Sequence, residues 1–221
     1  MSLKEELRGY AIEVLGLEFV GFASVKDFKD FVEAWARTII LLGIEVWDEA
    51  FDMAIFRVKD GSIDVYYVYE LILTGKALKL CLYLRDLGFK AKHVPYDLPL
   101  KQIAVKAGAG CYGKNSLIVN PRFGSKIRFT CVITDADIEP DLPFEEDLCG
   151  KCDACMKACP LQAIRVPYKV DSRRCVNSLS PPPREVDEDV VEVASKLLKK
   201  PTERTLILCS QCQRVCPYNR E

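Results

Sequence analysis

The sequence predicts an α/β (α+β) amino-terminal domain, residues 1–140, followed by a small cysteine-rich domain, residues 141–221. Three observations carry this. Segments with apolar residues at helical spacing alternate with short β-rich runs through the first part of the chain, as in a mixed layered fold. Around residues 136–147 the alternation dissolves into Asp, Glu and Pro, which marks a boundary. Beyond it apolar periodicity is scarce while eight of the 11 cysteines fall within 149–216. Something other than hydrophobic burial must hold that part together.

Taken in order, Leu3, Leu7, Ala11, Val14 and Leu15 predict a helix over 3–16 that Gly16 ends. Phe19 to Val25 reads as a strand, and Asp27 to Ala36 as a short helix with Phe28, Phe31, Val32 and Trp35 on one face. Thr38 to Val46 is a continuous apolar, β-rich run, as expected of a strand covered on both sides. Residues 64–87 read as one long helix stopped by Gly88. A strand over 89–95 and a helix over 98–107 follow. Residues 116–120 and 126–134 look like strands paired across Pro121-Arg-Phe-Gly124. In the second domain one amphipathic segment stands apart between Pro183 and Pro201. It is acidic at its start and basic at its end, as the helix dipole favours, and predicts a helical insertion at about 184–200.

Composition narrows the function. With 49% hydrophobic and 29% charged residues the chain is globular. No apolar run approaches the roughly 20 residues that cross a bilayer, and Met1-Ser-Leu-Lys-Glu-Glu-Leu-Arg8 alternates charge instead of building a signal core. A cytoplasmic protein with no membrane partner is expected. The net charge is −1, and neither half carries a basic excess, which argues against nucleic acid as the main partner. The single histidine, His93, removes His-rich zinc sites and offers no Ser-His-Asp triad.

Clustered cysteines in such a chain point to metal before disulfides. Cys149-x2-Cys152-x2-Cys155-x3-Cys159-Pro160 is the run with which bacterial-type ferredoxins hold [4Fe–4S] clusters. Three thiolates on a tight loop reach three irons of one cube, and the fourth, at the start of a helix, ligates the neighbouring cube. A second set follows in altered form, Cys175 and then Cys209-x2-Cys212-x3-Cys216-Pro217. The crossed pattern assigns Cys149, Cys152, Cys155 and Cys216 to one cluster, and Cys159, Cys175, Cys209 and Cys212 to the other. The alternative, two four-thiolate zinc sites, fits two Cys-x3-Cys-Pro endings poorly. The second domain is therefore expected to be a bacterial-type double [4Fe–4S] ferredoxin-like domain, an electron wire. Cys81 and Cys131 lie in apolar elements and read as core; Cys111 is left open.

Ala107-Gly-Ala-Gly-Cys-Tyr-Gly-Lys-Asn115 contains G-x-G-x-x-G, but it follows a helix and precedes a strand, the wrong context for a dinucleotide loop. With its flanks, however, it carries a resemblance. Lys106-Ala-Gly-Ala-Gly-Cys-Tyr-Gly-Lys-Asn-Ser116, Gly124-Ser125, the Cys149 run, Asp171-Ser-Arg-Arg-Cys175 and Cys209-Ser-Gln-Cys-Gln-Arg-Val-Cys-Pro-Tyr-Asn219 occur in that order. This pattern resembles the epoxyqueuosine reductase family, relatives of the corrinoid-dependent reductive dehalogenases, over roughly residues 89–221.

The resemblance implies two [4Fe–4S] clusters feeding a base-off cobalamin (corrinoid) on the α/β platform, for reductive chemistry on a small-molecule substrate. Lys114, Arg174 and Ser210 match positions that contact the corrinoid in the family, with Asn115 a neighbouring candidate. Asp97 stands near the family's catalytic Asp, about three positions off, and Asp97, Tyr96 and Tyr112 are the candidate proton donors. Electrons would come from an external donor such as a flavodoxin or ferredoxin. The chain stops soon after Cys216, without the family's helical-repeat domain; with the near-neutral charge, this sets the expectation against tRNA as the partner. A non-enzymatic electron carrier is the alternative.

Overall fold

The chain, described by a computed structural model over residues 2–95, 98–179 and 188–219, opens on a capping box. Ser2 Oγ accepts from the Glu5 N–H and the Glu5 carboxylate accepts from the Ser2 N–H, which starts helix α1 (Leu3–Gly9). The helix continues as one π turn, Tyr10–Val14, and ends at Gly16, whose φ of +62° suits glycine. Leu7 and Ala11 are fully buried on its inner face.

Two units follow, neither continuous in sequence. The first comprises residues 1–45, 70–111 and 127–146. Its centre is a four-stranded sheet in the order β1 (Phe19–Ser24), β2 (Thr38–Glu45), β8 (Ile127–Thr134), β5 (Ala91–Val94), antiparallel at every pairing. As expected, β2 is covered on both faces: Ile39 to Leu42 are wholly inaccessible. Helix α2 (Val68–Asp86) buries Leu73, Ala77, Leu80 and Leu84, one stripe at helical spacing. Helix α3 (Leu100–Lys106) buries Ile103 and Ala104. Gly21 lets the chain after α3 approach, since a Cβ there would stand 2.5 Å from the Ala107 carbonyl oxygen.

The second unit comprises residues 46–69, 112–126 and 147–221. It holds a three-stranded antiparallel sheet in the order β4 (Ser62–Tyr67), β3 (Met53–Lys59), β9 (Thr205–Ile207). Two four-residue helices, α4 (Ala154–Lys157) and α6 (Gln211–Arg214), pack together. Helix α5 (Glu188–Leu197) contributes Val190 and Ala194 to a small core with Leu161 and Val176. The segment expected to be helical is thus part of that core; residues 184–187 lie outside those described.

The structure differs from the sequence expectations at four places. The long helix starts at 68, not 64, because residues 62–67 are strand β4. Asp60 and Gly61 both have positive φ, 50° and 78°, the geometry of a two-residue hairpin turn whose twist matches its strands. Second, β8 does not pair with the segment before it. Asn120 and Gly124 close the expected turn with two backbone hydrogen bonds of 2.8 and 2.9 Å, but the ladder stops there. Ile118–Val119 (β7) pairs instead with Cys111–Tyr112 (β6), leaving β8 to β2 and β5. Third, the 27–36 helix is a 3₁₀ segment, Val25–Phe31, that buries Phe28 and leaves Phe31 half exposed. Fourth, the division at 140/141 follows the chain, whereas residues 46–69 and 112–126 fold with the cysteines.

Candidate iron–sulfur site

Each cysteine is placed by a short local device. Cys149 and Cys152 sit on one turn, with the Cys152 N–H donating to the Cys149 carbonyl (2.8 Å), and α4 begins two residues later so that Cys155 faces back toward them. Helix α6 repeats the arrangement. Its first flanking residue, Ser210 (φ −119°, ψ 14°), has nearly the backbone of Asp153 before α4 (φ −130°, ψ 14°). Cys216 follows through a turn in which its N–H donates to the Gln213 carbonyl (2.9 Å). Cys159 Sγ accepts from the Ala163 N–H at 3.2 Å, a backbone donor of the kind that steadies a thiolate. The Cys175 and Arg174 N–H groups both donate to the Asp171 carbonyl.

Four of the thiols share a cavity, and Cys159, Cys175 and Cys209 lie about Cys212. Cys149, Cys152, Cys155 and Cys216 line one small cavity, closed by Leu148, Val119 and Pro217. Burial pushes the Cys155 thiol up, and repulsion from Cys149, Cys152 and Cys216 adds to it. In the other set burial pushes Cys212 up to about 12, with Cys209, Cys175 and Cys159 repelling it. Cys209 is raised by burial and by Cys175 and Cys159, although the backbone N–H of Gln211 works the other way. Four crowded, half-buried thiols cannot all ionise alone; an iron cluster supplies the positive charge that makes thiolates of them. None of the 11 cysteines is in a disulfide, so the thiols of both sets are available as donors to iron–sulfur clusters. By contrast Cys81, pushed up to about 11, and Cys131, raised further, owe their shifts to burial and serve as core.

Two asparagines that no motif singles out hold the sets in place. Asn177 and Cys209 exchange two hydrogen bonds, Asn177 Nδ2 to the Cys209 carbonyl (2.9 Å) and the Cys209 N–H to Asn177 Oδ1 (2.8 Å). That clamp joins the segment after Cys175 to the segment bearing Cys209. Asn219 Oδ1 accepts from the Ser125 N–H at 2.9 Å, and its amide donates to the Gln213 carbonyl. Their spacing from Cys175 and Cys216 is the only signal the sequence offers.

Lys114, Arg174 and Ser210, matched to corrinoid contacts, and their neighbour Asn115 have distinct surroundings among the described residues. Lys114 and Asn115 line the cavity of the first set. There Lys114 Nζ donates to the Gly150 (2.7 Å) and Cys152 (2.8 Å) carbonyls and so braces the cysteine loop. Asn115 is buried, its Oδ1 accepting from the Leu117 N–H. Arg174 pairs with Asp189 (2.7 Å) and donates from Nε to the Leu161 carbonyl. Ser210 opens on a separate cavity of about 400 Å³ with Trp47, Asp48, Lys126, Gln213 and Arg214. Tyr96 and Asp97 lie outside the described residues. Tyr112 is 37% exposed. His93 Nε2 lies 2.8 Å from Thr130 Oγ1, and burial lowers its pKa.

Fold and site together define an iron–sulfur protein. Residues 148–219 match the family described as a 4Fe-4S double cluster binding domain, in agreement with the cluster reading and against zinc. Beyond that domain, 99% of the chain is 28% identical to the epoxyqueuosine reductase of Listeria monocytogenes, covering 65% of that protein. A stretch covering 54% of this chain is 39% identical to the Escherichia coli enzyme, 30% of its length. The epoxyqueuosine reductase of Bacillus subtilis has the same fold, with a TM-score of 0.74 at 24% identity over 99% of this chain and 65% of that one. A catabolic reductive dehalogenase matches at a TM-score of 0.67 and 17% identity, over 98% of this chain and 32% of its own. The chain is epoxyqueuosine reductase-like, as its motifs imply, and spans about two thirds of the length of the Listeria relative.

One expectation is overturned. An epoxyqueuosine reductase solved with an epoxyqueuosine-modified tRNA-Tyr stem loop shares this fold over 98% of the chain, at a TM-score of 0.72 and 23% identity. Near-neutral net charge and chain length therefore do not argue against tRNA. A local cationic surface suffices for phosphate contact whatever the total charge. Among the described residues no helix is long and apolar enough to cross a membrane.

Proposed function

We propose that this chain is the redox part of a reductase of the epoxyqueuosine type, with a modified nucleoside in a tRNA stem loop as its substrate class. The observation that carries the reading is the cavity shared by Cys149, Cys152, Cys155 and Cys216, with Cys159, Cys175 and Cys209 about Cys212. Cys149, Cys152, Cys155 and Cys216 would hold one [4Fe–4S] cluster, and Cys159, Cys175, Cys209 and Cys212 the other. The clusters supply one-electron transfer at low potential. Reducing an epoxide takes two electrons and two protons, so two one-electron centres and a proton donor match the demand. Asp97 and Tyr96, with Tyr112, are the proposed donors, and an external flavodoxin- or ferredoxin-like carrier the electron source.

A corrinoid is the acceptor that the resemblance and the dehalogenase fold support. Ser210, on the cavity it shares with Trp47 and Gln213, is the proposed corrinoid contact beside Cys209 and Cys212. Lys114, Asn115 and Arg174 remain proposed contacts; Lys114 and Arg174 would have to exchange the partners they now hold.

Protein purified without oxygen should carry about eight irons per chain and bleach on reduction. Added cobalamin should give a base-off spectrum, and an epoxyqueuosine-bearing stem loop should be consumed under an artificial reductant. An iron-loaded protein that neither alters the cobalamin spectrum nor touches the stem loop would overturn the reading.

A further inference from the structure

In the first unit the end of α2, the start of β5 and the turn before β2 enclose a shallow pocket of about 560 Å³. Every charged side chain lining it is a cation: Arg85, Lys90 and Lys92. Trp35 and Phe89 supply two aromatic rings to the same pocket, and Gly88, at φ +89°, turns the chain out of α2 so that Phe89 and Lys90 reach it. Arg85 is oriented by one bond from Nη2 to the Ala91 carbonyl (2.9 Å). The Lys90 ammonium has no ion-pair partner among the described residues, and its backbone N–H donates to Asp135 (2.8 Å). Lys92 is paired with Glu33. On a chain of net charge −1, three cations and two rings around one depression make a local positive site with stacking surfaces.

Cations that meet phosphates beside rings that meet bases are the two halves of a single-stranded nucleic-acid contact. We propose that this pocket holds one nucleotide of an RNA strand, its base against Trp35 or Phe89 and its phosphates on Arg85 and Lys90. The proposal rests on the reading of the substrate as a tRNA stem loop and adds a contact that no part of the iron–sulfur site provides. It also separates two duties: anchoring the strand in the first unit, and delivering electrons from the second.

The test is binding of a labelled RNA stem loop to the full, iron-loaded chain over a series of salt concentrations, with AMP as a second probe. Lys90→Gln should weaken RNA binding and lower the slope of log affinity against log salt by about one, and Arg85→Gln with Lys90→Gln by about two. Trp35→Ala should weaken binding at least about fivefold while leaving the slope unchanged. Iron content is the check that each variant has folded. If iron-loaded Lys90→Gln and Trp35→Ala bind RNA as the parent does, the pocket is not an RNA contact, and the proposal falls while the reading of the substrate stands. If the parent itself binds no RNA, it is that reading which fails. AMP binding as tight as the stem loop would make this a free-nucleotide site and overturn the RNA assignment.

Discussion

Gly124→Ala should remove the first cluster while leaving the first unit folded. Gly124 has a φ of +55°, and a Cβ placed there would stand 2.0 Å from Asn219 Oδ1, 2.6 Å from the Asn219 nitrogen and 2.7 Å from the Tyr218 carbonyl carbon. Two of those atoms are backbone, so no rotamer change relieves the contact. An L side chain in left-handed backbone costs about 1–2 kcal/mol. Overpacking adds about 1–3, and loss of the bond from the Ser125 N–H to Asn219 (2.9 Å) adds about 0.5–1.5. Together the cost is on the order of 3–6 kcal/mol, a large share of the roughly 5–15 kcal/mol that holds a domain. The strain falls on the segment immediately after Cys216-Pro217, so it is this thiol that is pulled from its set. Iron per chain and the cluster absorbance should fall to about half, and the denaturation midpoint of the second unit should drop. A variant with the parent's iron and a stability within about 1 kcal/mol of it would refute the reasoning.

Cys159→Ala should leave about four irons per chain instead of about eight, with the surviving cluster in the set of Cys155; survival of the other set alone would overturn the crossed assignment. Gly75→Ala, in the exposed middle of α2 with open space around its would-be Cβ, should instead raise stability by about 0.5–1 kcal/mol, measured by urea unfolding. Asp141 gives a pH signature. Burial raises its carboxyl, but bonds from Lys4, the Phe22 N–H and Arg8 outweigh this and hold it below the ordinary range. Its stabilisation should therefore be full above about pH 4 and fade as the pH falls through the lower folded-state value. Asp141→Asn should flatten that acid limb in thermal melts, and an unchanged limb would show that the carboxylate has no such role.

The cysteine sets were readable because ligand spacing is chemistry written locally: seven of the eight lie in two short runs, and only Cys175 stands apart. β2 was readable for the opposite reason, since a strand buried on both faces must be apolar at every position. The β3–β4 hairpin was within reach, because Asp60-Gly61 between two β-rich runs is its signal. Tyr66 and Tyr67 fit a helix period as well as a strand, which is why the helix drew them in. Pairing of β9 with β3 was not readable at all, because three residues at 205–207 hold no pattern and their partner lies in another part of the chain. The same holds for Lys114: a lysine among glycines does not announce that its ammonium will brace two carbonyls of the cysteine loop.

That long-range pairing sets an order on synthesis. β3 leaves the ribosome about 150 residues before β9, on the order of 10–30 s at the usual rate of elongation. During that interval the hairpin exposes the edge that Thr205–Ile207 will later cover, a place where another nascent strand can add. Cys149, Cys152 and Cys155 wait in the same way for Cys216. Iron can therefore be inserted into a complete set only after residue 216 has emerged, and a cell short of iron would accumulate chains whose β9 has nothing to lock it down.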